Sequence, residues 1–304
     1  MSSVTRIFPK VSVDSDDDPD TTMQAIVDFR GRALRAADQL PVVAGVLERT
    51  LGLFLRRDDL SVAQLATSIE QDVVITGSVL AIANSAIYGG YSVVGSLRPA
   101  IARLGINKTR NVLLGLSVTR AFRTVKVPSP WSLKKFNAHS LASATLSDLI
   151  VRNVRSSDPE WAFMAGLLHD IGLLVIAVGL PEQFGAILNH PGGDIALIER
   201  ERELLGFTHF EIGAELISRW NCPVAVQEAA RSCQRDDFAM QQPLTLGAVV
   251  KSATLLADSN SISNFDSQHD EHATGELLEA LDIAKPAQFI TEFQSDYNDL
   301  QTCI

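Results

Sequence analysis

Two ionisable residues, His169 and Asp170, stand in the middle of an otherwise apolar run from Trp161 to Leu180. Removing an imidazole and a carboxylate from water costs several kcal/mol unless each finds a hydrogen bond, an opposite charge or a metal ion. The pair therefore predicts partner side chains elsewhere in the chain. Those partners would form either a metal site or a buried hydrogen-bond network.

Two further histidines are the candidate partners. His139 belongs to a series of residues at three- and four-residue steps, which places it on the inward face of a helix. His209 opens a helix for which Thr208 and Glu211 form a capping box. One inward histidine is more often a hydrogen-bonded core residue than a ligand. With three histidines and Asp170 converging from separate helices, both interpretations stay open.

Residues that typically begin and end helices recur along the chain, and the alternation of apolar and polar residues typical of strands is nowhere sustained. Ser61 with Gln64 forms another capping box, and Asp158 precedes a proline at the first helical position. The sequence therefore predicts an all-α fold. The apolar run has the length of a membrane-spanning helix. Its central ionisable pair and its three glycines instead favour two buried helical pieces that meet near Gly172.

The chain has 304 residues, of which 46% are hydrophobic and 20% charged, enough for one large domain or two small ones. The early segment is rich in aspartate and serine, and two prolines in Val127–Pro130 interrupt the helical pattern. We predict four parts: a disordered acidic leader at 1–22, an N-terminal helical lobe at 23–127, a second helical lobe at 131–258, and a mobile loop with a C-terminal helix at 259–304.

Several spaced motifs resemble a known family. The second lobe is similar to the HD superfamily of metal-dependent phosphohydrolases, and the preceding lobe resembles the HDOD module, the HD-related output domain of bacterial signalling proteins. The resemblance covers about residues 38 to 258. Its motifs, in chain order, are Leu40-Pro41, Ile69 to Asp72, Ala83 to Gly89, Leu104 to Asn107, His139-Ser140, Leu168 to Gly172, and His209 with Gly213-Ala214 and Trp220 to Pro223. It implies a helical N-terminal lobe packed on an HD-like helical lobe, with a regulatory rather than catalytic role.

The resemblance also implies a metal site that has decayed. Active HD enzymes hold a divalent metal with a first histidine, the His-Asp pair and a late aspartate, and His139, His169 and Asp170 match the first three. Thr254 falls where the late aspartate should stand. Asp258 follows one turn later, about 6 Å along the axis, and is not expected to reach the same place.

Two further departures agree with this decay. Leu173 replaces a lysine that follows the pair in cyclic-dinucleotide phosphodiesterases, and Ser232-Cys233 replaces their paired histidines. We expect no catalytic residues, no cofactor, and a relict pocket. That pocket comprises His139, His169, Asp170, His209 and Thr254. The alternative is a divalent metal held by His139, His169, Asp170 and Asp258 in an HD phosphohydrolase or cyclic-dinucleotide phosphodiesterase.

Charge is distributed unevenly along the chain. The net charge of −10 disfavours nonspecific nucleic-acid binding, yet no Asp or Glu occurs between Val73 and Ser147. This basic segment is either a solvated face that pairs with acidic helices elsewhere or a docking surface for an acidic partner or an anionic ligand. Its candidate contact residues are Arg98, Arg103, Lys108, Arg110, Arg120 and Arg123. If these side chains are exposed, reversing the charge of Arg120 and Arg123 should leave stability nearly unchanged.

The combined interpretation is a non-catalytic signalling module that binds a protein partner or a second messenger such as a cyclic dinucleotide. The rival functions are the metal-dependent phosphodiesterase and a cyclic-dinucleotide or nucleic-acid binder that uses residues 98–135. No secretory signal opens the chain, and its three cysteines lack metal-type spacing. We therefore expect a cytoplasmic location with no membrane contact. The sequence does not identify the partner, the upstream signal or the oligomeric state.

Overall fold

The computed structural model confirms the all-α prediction. It describes residues 19–38, 52, 61–70, 72–85, 88, 92–189, 194–233, 242–265 and 272–302. Within these ranges there is no strand, only an isolated bridge between Ser156 and Leu244. The α-helices, in chain order, are α1 Pro19–Ala37, α2 Val62–Ile69, α3 Val73–Ala83, α4 Leu97–Leu104, α5 Ile106–Phe122, α6 Leu133–Asn153, α7 Ala162–Leu168, α8 Ile171–Gly179, α9 Pro181–Leu188, α10 Asp194–Leu205, α11 His209–Arg219, α12 Val224–Ser232, α13 Leu246–Ser259, α14 His272–Ala280 and α15 Pro286–Gln301.

Helices α2 to α5 pack on one another and form the N-terminal lobe. The predicted capping box of Ser61 and Gln64 begins α2 with both of its reciprocal hydrogen bonds. Asp72 begins α3, because its carboxylate accepts hydrogen bonds from the amides of Val74 and Ile75. These caps satisfy backbone donors that a helix leaves unpaired at its N-terminus.

Helix α6 is the centre of the C-terminal lobe and packs against α7, α13 and α15. The apolar run divides at the ionisable pair, since α7 ends at Leu168 and α8 begins at Ile171. The break thus lies just before Gly172, close to its predicted place. The stretch Pro159–Gly179 is apolar and long enough to cross a membrane, but 89% of its most apolar window is buried inside the fold.

The first helix does not follow the predicted division into lobes. Helix α1 packs against α8 and α11 of the C-terminal lobe, with Arg30 bound to Glu215 at 2.8 Å. Its backbone approaches α8 so closely that a Cβ on Gly179 would lie 2.6 Å from Cα of Ala33. The helix also begins at Pro19, within the predicted leader of residues 1–22, whose residues 1–18 lie outside the described ranges.

The last helix joins the two lobes. Its apolar face, including Phe289, Phe293 and Leu300, is buried, and α15 packs against α5 and α6. Asp296 accepts a hydrogen bond from the Tyr88 hydroxyl at 2.7 Å and pairs with Lys108 at 2.6 Å. Burial and the Asp296 charge raise the pKa of Tyr88. The predicted mobile loop before this helix is partly ordered against the core at 261–265, and residues 266–271 lie outside the described ranges.

The basic segment is partly bound within the fold, while Lys126, Lys134 and Lys135 are exposed. Arg103 donates to the carbonyl oxygens of Ala83 and Ser92, Lys108 binds Asp296, and Arg120 lies 3.2 Å from Asp72. Arg110 is buried, whereas Arg98 and Arg123 are exposed. Arg120 is not an unpaired surface charge, because its guanidinium binds the carboxylate that caps α3.

We therefore expect Arg120→Glu to destabilise the protein by about 1 kcal/mol, since it replaces an ion pair by two like charges. Burial opposes ionisation of Asp72, but hydrogen bonds from Ile75 and Arg120 outweigh it and lower the pKa of that carboxyl. Urea unfolding at neutral pH measures the change. Arg123→Glu is the matched control and should unfold like the parent. Equal midpoints for both variants would contradict a contribution from the ion pair.

Candidate functional site

The predicted relict pocket is assembled by five different helices or helix ends. His139 lies in α6, His169 and Asp170 at the junction of α7 and α8, and His209 at the start of α11, all of them buried. Thr254 reaches the same pocket from α13. The structure thus brings together every residue of the predicted set.

Asp170 is the centre of the cluster. Its Oδ2 lies 3.2 Å from Nε2 of His169 and 3.7 Å from Nε2 of His139, and its Oδ1 lies 3.7 Å from Nε2 of His209. Three imidazoles therefore direct the same ring nitrogen at one carboxylate. Ligand atoms of His139, His169 and Asp170 lie within 4.8 Å of one another, a donor set that suits a divalent transition metal.

The opposite edge of each imidazole determines which nitrogen carries hydrogen. Nδ1 of His139 lies 2.8 Å from the carbonyl oxygen of Ile262, and Nδ1 of His169 lies 2.8 Å from that of Gly166. Because a carbonyl oxygen can only accept, both Nδ1 atoms donate, so each Nε2 faces Asp170 as an acceptor when its ring is neutral and as a donor when its ring is protonated. Such orientation of the far ring nitrogen is what metal-binding histidines require.

His209 is oriented by a buried carboxylate instead. Glu201 on α10 is fully buried and accepts from both Nδ1 and the backbone N–H of His209, at 2.7 Å and 2.9 Å. The sequence analysis missed this residue. Its spacing to Leu197 and Leu205 on one helix face is the signal that could have revealed an inward glutamate.

The charges within the cluster support one another. Burial alone would raise the pKa of Asp170, but the neighbouring histidines, His169 first, outweigh burial and lower it. Burial alone would lower the pKa of His169, but the charge and hydrogen bond of Asp170 raise it. A proton on Nε2 of His169 thus supplies positive charge where a metal ion would otherwise stand.

Thr254 and Asp258 differ in how they face the cluster. The hydroxyl of Thr254 lies 3.3 Å from Nε2 of His169 and donates to the carbonyl oxygen of Val250 at 3.0 Å. This position agrees with the predicted register of α13. Asp258 also lines the pocket, but its carboxylate lies 3.5 Å from Nδ1 of His139, on the edge of the ring that faces away from Asp170.

The segment after α13 contributes residues that the sequence analysis did not select. Asn264 is buried and donates its carboxamide N–H to Oδ2 of Asp170. With Ile262 it covers one side of the cluster. Beside it lies a cavity of about 120 Å³ with an apolar rim that includes Leu197, Phe210 and Leu255. Cys233 also lines the cavity, and burial raises the pKa of its thiol.

The family model for the HDOD domain matches residues 40–235 of the chain. The chain belongs to the HDOD family. The matched range includes His139, His169, Asp170 and His209. It ends before α13, so Thr254 and the segment with Asn264 lie beyond it.

Solved HDOD relatives share the fold. An HDOD domain protein from Geobacter sulfurreducens superposes with a TM-score of 0.67 at 19% identity, covering 94% of this chain and 97% of that one. A Shewanella amazonensis protein whose assignment as a phosphohydrolase is provisional gives a TM-score of 0.65 at 24% identity, covering 88% of this chain and 98% of that one. At these identities the likeness shows the fold alone.

One curated relative is a longer protein. An uncharacterized protein from Treponema pallidum is 24% identical over an alignment of 191 residues, which covers 58% of this chain and 34% of the relative. The chain therefore matches about a third of the length of that relative.

Proposed function

We propose that this HDOD chain is a non-catalytic regulatory module of bacterial signalling, which acts in the cytoplasm by binding a signalling protein. The proposal rests on the hydrogen bonding of the Asp170 carboxylate. Its Oδ2, which an HD metal would need, already accepts a hydrogen bond from Asn264. Thr254, at the position of the late aspartate, offers a hydroxyl that is engaged with Val250.

A divalent metal would be held here by His139, His169 and Asp170. When bound, such an ion lowers the pKa of a coordinated water and polarises a phosphoryl oxygen. Lys251 also lines the cavity, but two positions at which phosphodiesterases carry functional groups supply nothing for that reaction. Leu173, at the position of the phosphate-binding lysine, is an apolar side chain buried in α8. Neither it nor the neutral thiol of Cys233 can stabilise a developing negative charge.

The proposed cytoplasmic location has indirect support. Cys222 and Cys233 are buried free thiols, as is usual for proteins of a reducing compartment. The rival function of an anion-binding surface over residues 98–135 loses two of its candidate cations, because Lys108 and Arg120 pair with Asp296 and Asp72. Charges that are already paired contribute little to a field that attracts anions.

Hydrolysis assays test the proposal directly. The purified protein, supplied in turn with Mn²⁺, Fe²⁺ and Ni²⁺, is expected to hydrolyse cyclic dinucleotides and a generic phosphodiester no faster than its Asp170→Ala variant. The reason is that Thr254 and Leu173 replace a ligand and a phosphate-binding cation. Turnover in the parent that is lost in Asp170→Ala would overturn the proposal and restore the phosphodiesterase alternative.

A further inference from the structure

The chain turns sharply where it leaves α13. Asn260 ends the helix, and Ser261 adopts a positive φ of 64°. The amide of Ile262 bonds back to the carbonyl of Ala257, and that of Ser261 to Asp258, both at 2.9 Å. This is the Schellman arrangement of hydrogen bonds, which reverses the chain direction at a helix end. The reversal directs the following residues into the pocket.

Two groups of the returning segment bind the cluster. The carbonyl oxygen of Ile262 accepts from His139, and the carboxamide of Asn264 donates to Oδ2 of Asp170. Asn264 is only 5% exposed, and its own Oδ1 is buried with no hydrogen-bond partner among the residues that the structure describes. A buried carbonyl oxygen without a donor is costly, so the segment is not in its most favourable possible arrangement.

The carboxamide occupies the atom that a cation would require. Oδ2 of Asp170 is the carboxylate oxygen that faces Nε2 of both His139 and His169. An ion bound by those nitrogens takes Oδ2 as its third ligand. The N–H of Asn264 already points its partial positive charge at that oxygen, and a cation beside it would be repelled. Because both positive groups draw on the same oxygen, each weakens the binding of the other, and the ion and the carboxamide compete for Oδ2.

We propose that the segment Ser261–Phe265 is a latch, in which Asn264 competes with a divalent transition cation for Asp170, so that binding of the cation releases the segment. The proposal rests on the proposed regulatory function, because it names the signal that the module receives. The expected ion is of the borderline class, since two imidazole nitrogens and one carboxylate oxygen favour such metals over Mg²⁺ or Ca²⁺.

Release of the latch would change the surface of the protein. Phe265 packs against the core and lines the cavity from the same segment, so its ring would become exposed. The end of α13 is also tied to α14, because the Ser259 and Thr274 hydroxyls lie 2.6 Å apart and the two helices pack together. A signal at Asp170 thereby reaches the helices on the far side of the segment.

Calorimetric titration with Ni²⁺ tests the competition. Removing the competing group by Asn264→Ala is expected to raise the affinity by about tenfold or more, as expected for loss of a hydrogen bond to a charged group. The matched control is Asn260→Ala, whose side chain binds the Leu256 carbonyl instead of Asp170, and which should bind Ni²⁺ like the parent. The Asp170→Asn variant measures the background binding of Ni²⁺ by other histidines of the protein. An affinity of Asn264→Ala equal to or below that of the parent would overturn the latch.

Hydrogen exchange of the parent protein provides a second measurement that needs no variant. Backbone amides of residues 261–265 are expected to exchange faster with saturating Ni²⁺ than without it, because the segment is released. Unchanged or slower exchange would overturn the proposal. The two proposals fail separately: phosphodiester hydrolysis would remove the non-catalytic function, whereas an unaltered segment would remove the latch and leave that function standing.

Discussion

Gly172→Ala is expected to prevent stable folding or to destabilise the protein severely. The expected loss exceeds the value typical of an overpacked core, which is about 1–3 kcal/mol. A Cβ at this position would overlap the carbonyl oxygen of His209 and lie 3.0 Å from the amide nitrogen of Gly213. Both obstacles are backbone atoms, which cannot rotate away as a side chain can. Helix α11 would have to move away from α8, and His209 would move away from Asp170.

The matched control is Gly77→Ala, in the exposed interior of α3, where an added Cβ meets nothing within 4 Å. Alanine there should stabilise the helix by about 0.5–1 kcal/mol. Thermal and urea unfolding of both variants give the comparison. If Gly172→Ala unfolded at the same midpoint as the parent, the close contact between α8 and α11 would be wrong.

Glu201→Ala is the second change with a large expected effect, a loss of about 3–5 kcal/mol of unfolding free energy. The carboxylate accepts from the ring and the backbone of His209 and is completely buried. Its removal leaves two donors without an acceptor in a site that is too closed to solvate them fully. His209, no longer held, would also lose its orientation towards Asp170.

The neighbouring Glu203→Ala provides the control for this prediction. Glu203 lies on the same helix, is mostly exposed, and pairs with Arg200 on the surface, so its loss should cost less than about 1 kcal/mol. Urea unfolding with a common m-value separates the two. Glu201→Gln should fall between the parent and Glu201→Ala, because its carbonyl oxygen can replace one of the two acceptors. Equal stability of the two alanine variants would show that Glu201 is accessible to water.

The buried His169 and Asp170 could be predicted because the cost of burying them is evident from the neighbouring residues alone. An imidazole and a carboxylate in an apolar run must find partners, whichever fold contains them. The helix starts at Ser61 and Thr208 could be predicted for the same reason, since a capping box satisfies backbone donors within four residues. The register that places Thr254 on the pocket wall followed from the family motif.

The partners that were missed are distant along the chain and have unremarkable surroundings. Glu201 lies in a helix with acidic and basic residues that reads as a solvated surface. Asn264 lies among serines in a segment whose composition is typical of a mobile loop. Only the packed structure shows that each meets a buried group, Glu201 through His209 and Asn264 through Asp170.

The basic segment shows that the surface charge, too, depends on contacts between residues that are distant along the chain. The count of acidic residues between Val73 and Ser147 left pairing with carboxylates elsewhere open, and two cations are paired in this way, because Lys108 binds Asp296 and Arg120 binds Asp72. Asp72 is the residue immediately before the counted range. A charge imbalance within one segment therefore does not predict a charged surface unless the fold keeps that segment away from the others.

The contact between Tyr88 and Asp296 has a consequence for the synthesis of the protein. The two residues are 208 positions apart, so at roughly 5–20 residues per second the ribosome makes Asp296 about 10–40 s after Tyr88. Until then Lys108 has no Asp296 to bind, and the surfaces of α5 and, once it has been made, α6 stay uncovered where α15 later packs. The nascent chain therefore exposes these surfaces until α15 is made. That interval is the time at which a chaperone or an aggregating neighbour would meet it.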